Sequence, residues 1–442
     1  MMYIREQSFT DKQDKNQLWR NILLCGLLFI LIACRGVNSI FIYFIAAISS
    51  LIFITTTEEE CFLYLVFLAP FSLVLKTSVG GMTFYNLFIL LVLLRVFFSV
   101  GFVEKEFLIP LLFFLAYCFV FSGISHISTT ITIGAWLLLV YSLNKFKVNS
   151  DWVVWAYSAG LCLSSLLGLV REKLPLINTF LTVEQMKLAE KTYAERFSGL
   201  QPNPNYLSLD LSVAMSCIVA LVLIRKAKLV DWILLFTLFV FGLMTISQSF
   251  IVGIVPLLLL WIFFSSKYNI SKSVIILFAI SFFGLIIYIF GQKYIDLFMF
   301  RIGQRQGESL SKVTTGRSDI WVEYLRAIIS SPKTLLVGNG FNSLVESGSG
   351  AHNTYLDLVF SLGLCGCSIY FVLIFMSLKK IFCINALKIP IIVLLIRLFA
   401  ITITTWDNIW IYFILFVCIA NSEIQFNRNN IDTKKATSRY LK

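Results

Sequence analysis

Residues 314–366 read TTGRSDIWVEYLRAIISSPKTLLVGNGFNSLVESGSGAHNTYLDLVFSLGLCG, the longest polar interval in an otherwise apolar chain. The stretch contains His352, one of only two histidines, where a polar loop gives way to an apolar run. That run is long enough to cross a membrane. The fold class turns on which half of this stretch the rest of the chain follows, and it follows the second.

A length of 442 residues would suit two or three soluble domains. The composition overrules that: 58% of residues are hydrophobic, 14% are charged, and 42 are Phe. With a mean hydropathy of +0.86, too little polar surface remains for a soluble body. These values predict an all-α, polytopic integral membrane protein, a single transmembrane domain over 1–442. The net charge of +12 does not point to nucleic acid, because the basic residues fall in short clusters between apolar runs, as topology signals do. Most of the ten cysteines lie inside apolar segments, with neither metal-ligand nor disulfide spacing. Cys365-x-Cys367 reads as small-residue packing on a helix. Leu31-Ile-Ala-Cys34 has the look of a lipoprotein processing box, but a polar tail precedes it and further apolar runs follow. The first span therefore reads as an uncleaved anchor.

A spanning helix needs roughly 20 apolar residues. Runs of that kind lie near 20–36, 38–55, 60–77, 84–102, 107–123, 128–144, 151–170, 205–224, 230–247, 249–265, 273–291, 353–378, 385–404 and 406–421. The expectation is about 12–14 spans. Placing Arg5, Lys12, Lys15 and Arg20 in the cytoplasm and alternating puts Lys105, Lys145, Arg225, Lys228, Lys267, Lys379 and Lys380 on the same side. The tail residues Lys434, Lys435 and Arg439 join them. The alternation satisfies the positive-inside tendency and places both termini in the cytoplasm.

By the same alternation two longer segments face outward, a first loop at 171–204 and a large loop at 292–352. Arg171, Lys173, Lys187, Lys191 and Arg196 lie in the first, and Arg301, Arg305, Lys312, Arg317, Arg326 and Lys333 in the second. Positive charge there serves no topological purpose, which points to an anionic substrate. Within the large loop Ser318 reads as a helix cap. Ile320, Trp321, Tyr324, Leu325, Ile328 and Ile329 recur at helical spacing up to Ser331-Pro332, so a surface helix is expected near 318–330.

His352 is the first candidate for chemistry, since an imidazole can act as general base near neutral pH. Asn353 and Asp357 follow one turn apart. Gly338-Asn-Gly340 and Gly348-Ser-Gly350 lead in, a pattern suited to close backbone approach to a ligand. Arg196 precedes the turn Pro202-Asn-Pro204-Asn205, and Arg317 opens the surface helix. The planar fork of arginine suits phosphate oxygens, so the two together read as a pyrophosphate clamp. Within the apolar runs Asp210 and Arg397 are costly unless paired with each other or turned to a cavity. No phosphate-binding Gly-x-x-x-x-Gly-Lys is present, so any transfer chemistry must draw on an already activated, membrane-borne donor.

Taken together the pattern resembles the O-antigen polymerase and O-antigen ligase family of bacterial envelope glycosyltransferases. The matching residues are Arg196-Phe-Ser-Gly with Pro202-Asn-Pro-Asn205, Thr315-Gly-Arg317 with Trp321, Gly338-Asn-Gly340, and Ala351-His-Asn353-Thr-Tyr-Leu356 with Gly363-Leu-Cys-Gly366. They cover residues 190–370. The resemblance implies a metal-independent, inverting transfer from an undecaprenyl-pyrophosphate-linked glycan to a sugar hydroxyl, without cofactor. The reaction would take place at the outer face of a bacterial plasma membrane. It implies His352 as the catalytic residue that orients or deprotonates the acceptor. Arg196 and Arg317 would hold the pyrophosphate, with Asn203, Asn205, Arg301, Arg305 and Asn353 as further substrate contacts. Relatives carry a Ser/Thr-Arg pair where this chain reads Ser247-Gln248-Ser249; Arg301, Arg305 or Arg397 are the candidates to replace that arginine.

Within the resemblance a polymerase uses a second lipid-linked repeat unit as acceptor, and a ligase uses lipid A-core. The His-Asn-Thr-Tyr-Leu run and the long second loop favour the polymerase, whose expected partners are lipid-linked donor and acceptor, membrane lipid and a chain-length regulator. A flippase or transporter of lipid-linked sugars is the reading from another class. It predicts broken helices and charged residues at mid-membrane, and few are legible here.

Overall fold

The structure is a computed structural model. It describes residues 2–78, 83–101, 103–122, 126–146, 148–181, 185–189, 192–268, 296, 316–404 and 407–440. The expected span at 273–291 and the basic residues Arg301 and Arg305 lie outside the described residues.

In chain order the helices are α1 (Met2–Arg35), α2 (Phe41–Thr55), α3 (Glu58–Leu68), α4 (Phe84–Val100), α5 (Lys105–Ser122), α6 (Ile127–Leu143), α7 (Ser150–Leu169) and the single turn α8 (Pro175–Asn178). There follow α9 (Pro204–Ile224), α10 (Leu229–Met244), α11 (Gln248–Tyr268), α12 (Arg317–Ser330), α13 (Pro332–Val337), α14 (Thr354–Leu378), α15 (Lys388–Leu398) and α16 (Asn408–Tyr440). A short antiparallel hairpin, β1 (Gln185–Ala189) and β2 (Thr192–Glu195), is the one departure from an all-helical chain among the described residues.

Among the described residues six helices are long and apolar enough to cross a membrane: Asn16–Arg35, Lys105–Ser122, Ser150–Leu169, Pro204–Ile224, Gln248–Ser265 and Thr354–Leu378. Five shorter apolar ones accompany them. The fold is that of an α-helical membrane protein. Of the expected runs, 60–77 and 385–404 are only partly helical. The first becomes α3 and a 3-10 turn at Ala69–Phe71, and the second stops at Leu398.

Helix α9 is the axis of the bundle, packing against α7, α10, α11, α15 and α16, with 83% of its apolar window buried. Its sequence permits this. Ser208, Ser212 and Ser216 are small, and each hydroxyl donates back to the carbonyl three residues earlier, so no polar atom is stranded against a neighbouring helix. Asn203 caps it, Oδ1 accepting from the backbone N–H groups of Asn205 (2.9 Å) and Tyr206 (3.2 Å), with Pro204 at the first helical position.

Ion pairs define one end of the bundle. Arg225 donates from Nε to Asp151 Oδ1 at 2.7 Å and from Nη1 and Nη2 to Asp231 at 2.8 and 3.0 Å. Lys228 Nζ reaches Asp151 Oδ2 at 2.7 Å, and Trp155 Nε1 donates to Asp231 Oδ1 at 2.8 Å. Arg20 pairs with Glu60, Lys145 lies 3.5 Å from Glu104, and Lys380 Nζ donates to Asn144 O at 2.8 Å. Basic residues on loops widely separated in sequence thus gather at one end.

At the opposite end α14 is not continuous. Gly363 has φ 62 and ψ 178, outside helical values, and a Cβ there would lie 2.4 Å from Leu336 C and Val337 N. The break frees the carbonyls of Phe360, Ser361 and Leu362. They are recovered by Asn339 N–H (2.9 Å), Gly340 N–H (2.9 Å) and the Tyr117 hydroxyl (2.8 Å), respectively. A freed carbonyl in a membrane body has no water to turn to, so these three donors are what allow the interruption.

Candidate functional site

Gly338-Asn-Gly340 makes its close backbone approach to α14. A Cβ on Gly338 would stand 2.3 Å from Ser361 O, and one on Gly340 would stand 2.8 Å from Ser122 Cα. The expected approach to a ligand is therefore an approach to a broken helix. The surface helix is present as α12, but it begins at Arg317 behind Gly316, whose left-handed φ of 76 occupies the cap position. Ser318 sits inside the helix, not at its cap.

Helix α12 holds the loop that leads to His352. Trp321 Nε1 donates to Ala351 O at 3.0 Å, Tyr324 O–H to Ser349 O at 3.1 Å, and Ser347 N–H to Glu323 Oε1 at 3.0 Å. Tyr324 and Ile328 pack on Val345, Ala351 and Phe360, while Val322, Leu325 and Ile329 stay exposed. Burial pushes the Tyr324 phenol up to about 12, keeping it a neutral donor. His352 itself is exposed and holds φ 47, a left-handed conformation uncommon outside glycine.

The next residue starts α14. Asn353 Oδ1 accepts from the N–H groups of Tyr355 (3.0 Å) and Leu356 (3.2 Å), while its own N–H donates to Thr402 Oγ1 at 3.2 Å. Asn203 and Asn353 thus have matching places, each capping a central helix at the same end of the bundle. Both side-chain oxygens are engaged by backbone, which leaves their amide nitrogens to meet other groups.

Between these caps runs the non-helical segment after α15. Its backbone is satisfied from both sides: Thr354 Oγ1 donates to Ile401 O (2.6 Å) and accepts from Ile403 N–H (3.2 Å), and Tyr206 O–H donates to Thr402 O (2.9 Å). Arg317 Nη1 donates to Ala400 O at 3.0 Å, and Ala400 N–H returns to Arg397 O at 3.0 Å. Arg317 therefore reaches the turn that follows Arg397, where its charge opposes that of Arg397 and the charge of Asp210 favours it.

Arg397 is 1% exposed. Its Nη2 donates to Ser208 Oγ at 2.7 Å and to Asn205 O at 3.2 Å, while Nε and Nη1 have no hydrogen-bond partner among the described residues. Ser208 Oγ lies 3.2 Å from Ser249 Oγ, and Ser247 Oγ donates to Asn205 Oδ1 at 2.8 Å. The same Asn205 Oδ1 accepts from Arg196 Nη2 at 3.3 Å. Arg196, Asn205, the three serines and Arg397 form one continuous polar cluster. Gly253 makes room for it, since a Cβ there would lie 3.1 Å from both Arg397 Cδ and Ser212 Oγ.

The structure does not pair Arg397 with Asp210. Residues 208 and 210 point about 200° apart on a helix, so Ser208 faces α15 while Asp210 faces the other way. Asp210 accepts from Tyr157 O–H (3.2 Å), Asn408 Nδ2 (3.0 Å) and Tyr412 O–H. Its hydrogen bonds are taken by donors on α7 and α16, so Arg397 feels Asp210 at a distance and bonds no carboxylate among the described residues.

Of the residues expected from sequence, Arg196, Asn203, Asn205, Arg317, His352 and Asn353 are all drawn to this end, around residues 397–404. Ser208 and Tyr206 were not foreseen. Both sit on the apolar-reading α9, where only the short spacing from the Pro-Asn turn hinted at them. No protein-family model and no curated protein matches this chain.

Proposed function

We propose that this protein is a membrane glycosyltransferase that polymerises undecaprenyl-pyrophosphate-linked repeat units at the outer face of a bacterial plasma membrane. Ligation of the finished chain to lipid A-core is the alternative within the same chemistry. The observation that carries the reading is the reach of Arg317 to the turn that follows Arg397, with Arg196 tied to the same cluster through Asn205. Three guanidinium groups gathered at one end of the bundle suit a polyanionic ligand.

In this reading the acceptor hydroxyl attacks the anomeric carbon of the donor from the face opposite the pyrophosphate. The bond from that carbon to the pyrophosphate oxygen breaks, inverting the centre. The hydroxyl proton passes to His352, and the leaving charge settles on the guanidinium groups of Arg196, Arg317 and Arg397. Arg397 takes the part that Gln248 cannot play. The polymer then stays on lipid at the outer surface, where a chain-length regulator can meet it.

A second reading, a carrier of lipid-linked sugars, is favoured by one observation. Helix α14 is interrupted at Gly363 and α15 ends at Leu398, and discontinuous helices commonly frame transport sites. Surface glycan from a strain lacking the protein separates the readings. A single repeat on the core marks a polymerase. Bare core with polymer held on carrier lipid marks a ligase, and one lipid-linked repeat accumulating at the inner face marks a carrier. His352→Ala and Arg317→Ala are each expected to abolish long chains with the protein still in the membrane; normal chain lengths in both would overturn the assignment.

A further inference from the structure

A second buried guanidinium lies at the same end of the bundle. Arg35, the last residue of α1, is 3% exposed. Its Nη2 makes one long contact, 3.4 Å to Lys76 O, and its Cζ stands 5.6 Å over the Phe180 ring. Nε and Nη1 have no hydrogen-bond partner, and Arg35 forms no ion pair among the described residues. An unpaired cation removed from water persists where a counter-charge completes it.

One further cation, Lys76, borders the place. The segment carrying Arg171 folds onto the end of α1, with Leu176 N–H donating to Gly36 O at 3.1 Å and Leu174 packed on Gly36. Lys76, whose carbonyl Arg35 touches, keeps its own side chain partly exposed and lies within electrostatic range of Asp407. Asp407 adjoins the segment that Arg317 and Arg397 share. The Arg171 segment leaves the same end of α7 that Gly199 closes upon, a Cβ on Gly168 meeting Gly199 Cα at 2.5 Å. The two cationic places share this end of the bundle, and separate arginines build them.

We infer that Arg35, with Lys76 beside it, binds the diphosphate headgroup of a second lipid-linked substrate. This rests on the polymerase reading, in which donor and acceptor each carry a diphosphate, and one cluster holds only one of them. Arg35 offers two uncommitted N–H donors to phosphate oxygens, the Phe180 ring covers its face, and only 17% of the apolar window of α1 is buried. The Arg196 cluster keeps the donor, whose diphosphate must leave. The Arg35 site keeps the acceptor, whose diphosphate stays attached.

The test uses the full chain in phosphatidylcholine nanodiscs titrated with undecaprenyl pyrophosphate, with bound equivalents counted by native mass spectrometry. Wild type is expected to bind two equivalents, and Arg35→Gln and Arg196→Gln one each. Inorganic pyrophosphate should compete, and phosphatidylglycerol should not. Lys76→Glu, at a partly exposed position, should weaken the second equivalent at least tenfold without touching the first, which guards against misfolding of the Arg35 variant. Two equivalents retained in both Arg35→Gln and Lys76→Glu would overturn the inference alone. So would competition by phosphatidylglycerol at equal concentration, which would make this a general lipid-headgroup site. No bound equivalent in any variant, wild type included, would remove the polymerase reading along with it.

Discussion

Arg397 on α15 donates to Ser208 Oγ on α9 at 2.7 Å, so the most buried cation of the site is held by a hydroxyl instead of a carboxylate. A hydroxyl orients a guanidinium but leaves its charge in place. Leaving a buried charge uncompensated costs several kcal/mol, ~3–5 where a pair is broken. A site built to receive an anion has use for such a charge.

Arg397→Met should therefore separate stability from activity. Methionine fills the space of the arginine stem and removes the unpaired charge, so the thermal midpoint in detergent should hold or rise. Long-chain product should fall by about 100-fold or more, the cost of losing a donor that meets developing charge. A large drop in midpoint would instead make Arg397 a packing residue.

His352 allows a similar separation through its backbone. At φ 47 an L-residue is strained, and glycine is not. His352→Gly should be more stable than His352→Ala by about 1 kcal/mol or more. Both should lack long-chain glycan if the imidazole takes the proton. A glycine variant that still makes polymer would reduce His352 to a turn residue. Thermal unfolding and a glycan gel on the same preparations decide it.

The helical, membrane-spanning character was legible because it depends on the apolar run, a property each segment carries alone. The gathering of Arg196 and Arg317 at one end was half legible, since both stood out as arginines beside turns. Other features depended on partners. Nothing near Gly363 announces a broken helix, because the three donors that permit the break come from Tyr117, Asn339 and Gly340. Gly338-Asn-Gly340 was read toward a ligand because a glycine records that something comes close, not what comes close. Asp210 and Arg397 looked like a pair in one dimension, and only the helical phase of α9 turns them apart.

The ion-pair end supplies a control. Asp231 is fully buried and accepts from Arg225, Trp155 and the Lys228 backbone. Asp231→Ala strands those donors and should cost ~3–5 kcal/mol, as breaking a buried pair does. Because it lies at the far end from the arginine cluster, product per folded molecule should stay unchanged. Loss of specific activity in the remaining folded fraction would mean that the two ends are coupled, as a carrier requires and a transferase does not.

The break in α14 gives the last prediction. Tyr117 O–H is shared between Leu362 O (2.8 Å) and Val337 O (3.0 Å), bridging α5 to both the interrupted helix and the segment packed on it. Tyr117→Phe leaves those carbonyls without that donor, at a cost of about 1–3 kcal/mol. Gly363→Ala should be worse, because φ 62 is unfavourable and the new Cβ meets Leu336 and Val337 backbone at 2.4 Å, where no side chain can swing aside. If the break only shapes a rigid transferase, both variants should lose midpoint in that order, and the surviving Tyr117→Phe protein should make polymer of normal length. If the break is a moving part of a carrier, Tyr117→Phe should change the rate at which lipid-linked repeats reach the outer face, even where its folded amount matches wild type. Measuring outer-face repeats and chain length side by side in that one variant distinguishes a static interruption from a working hinge.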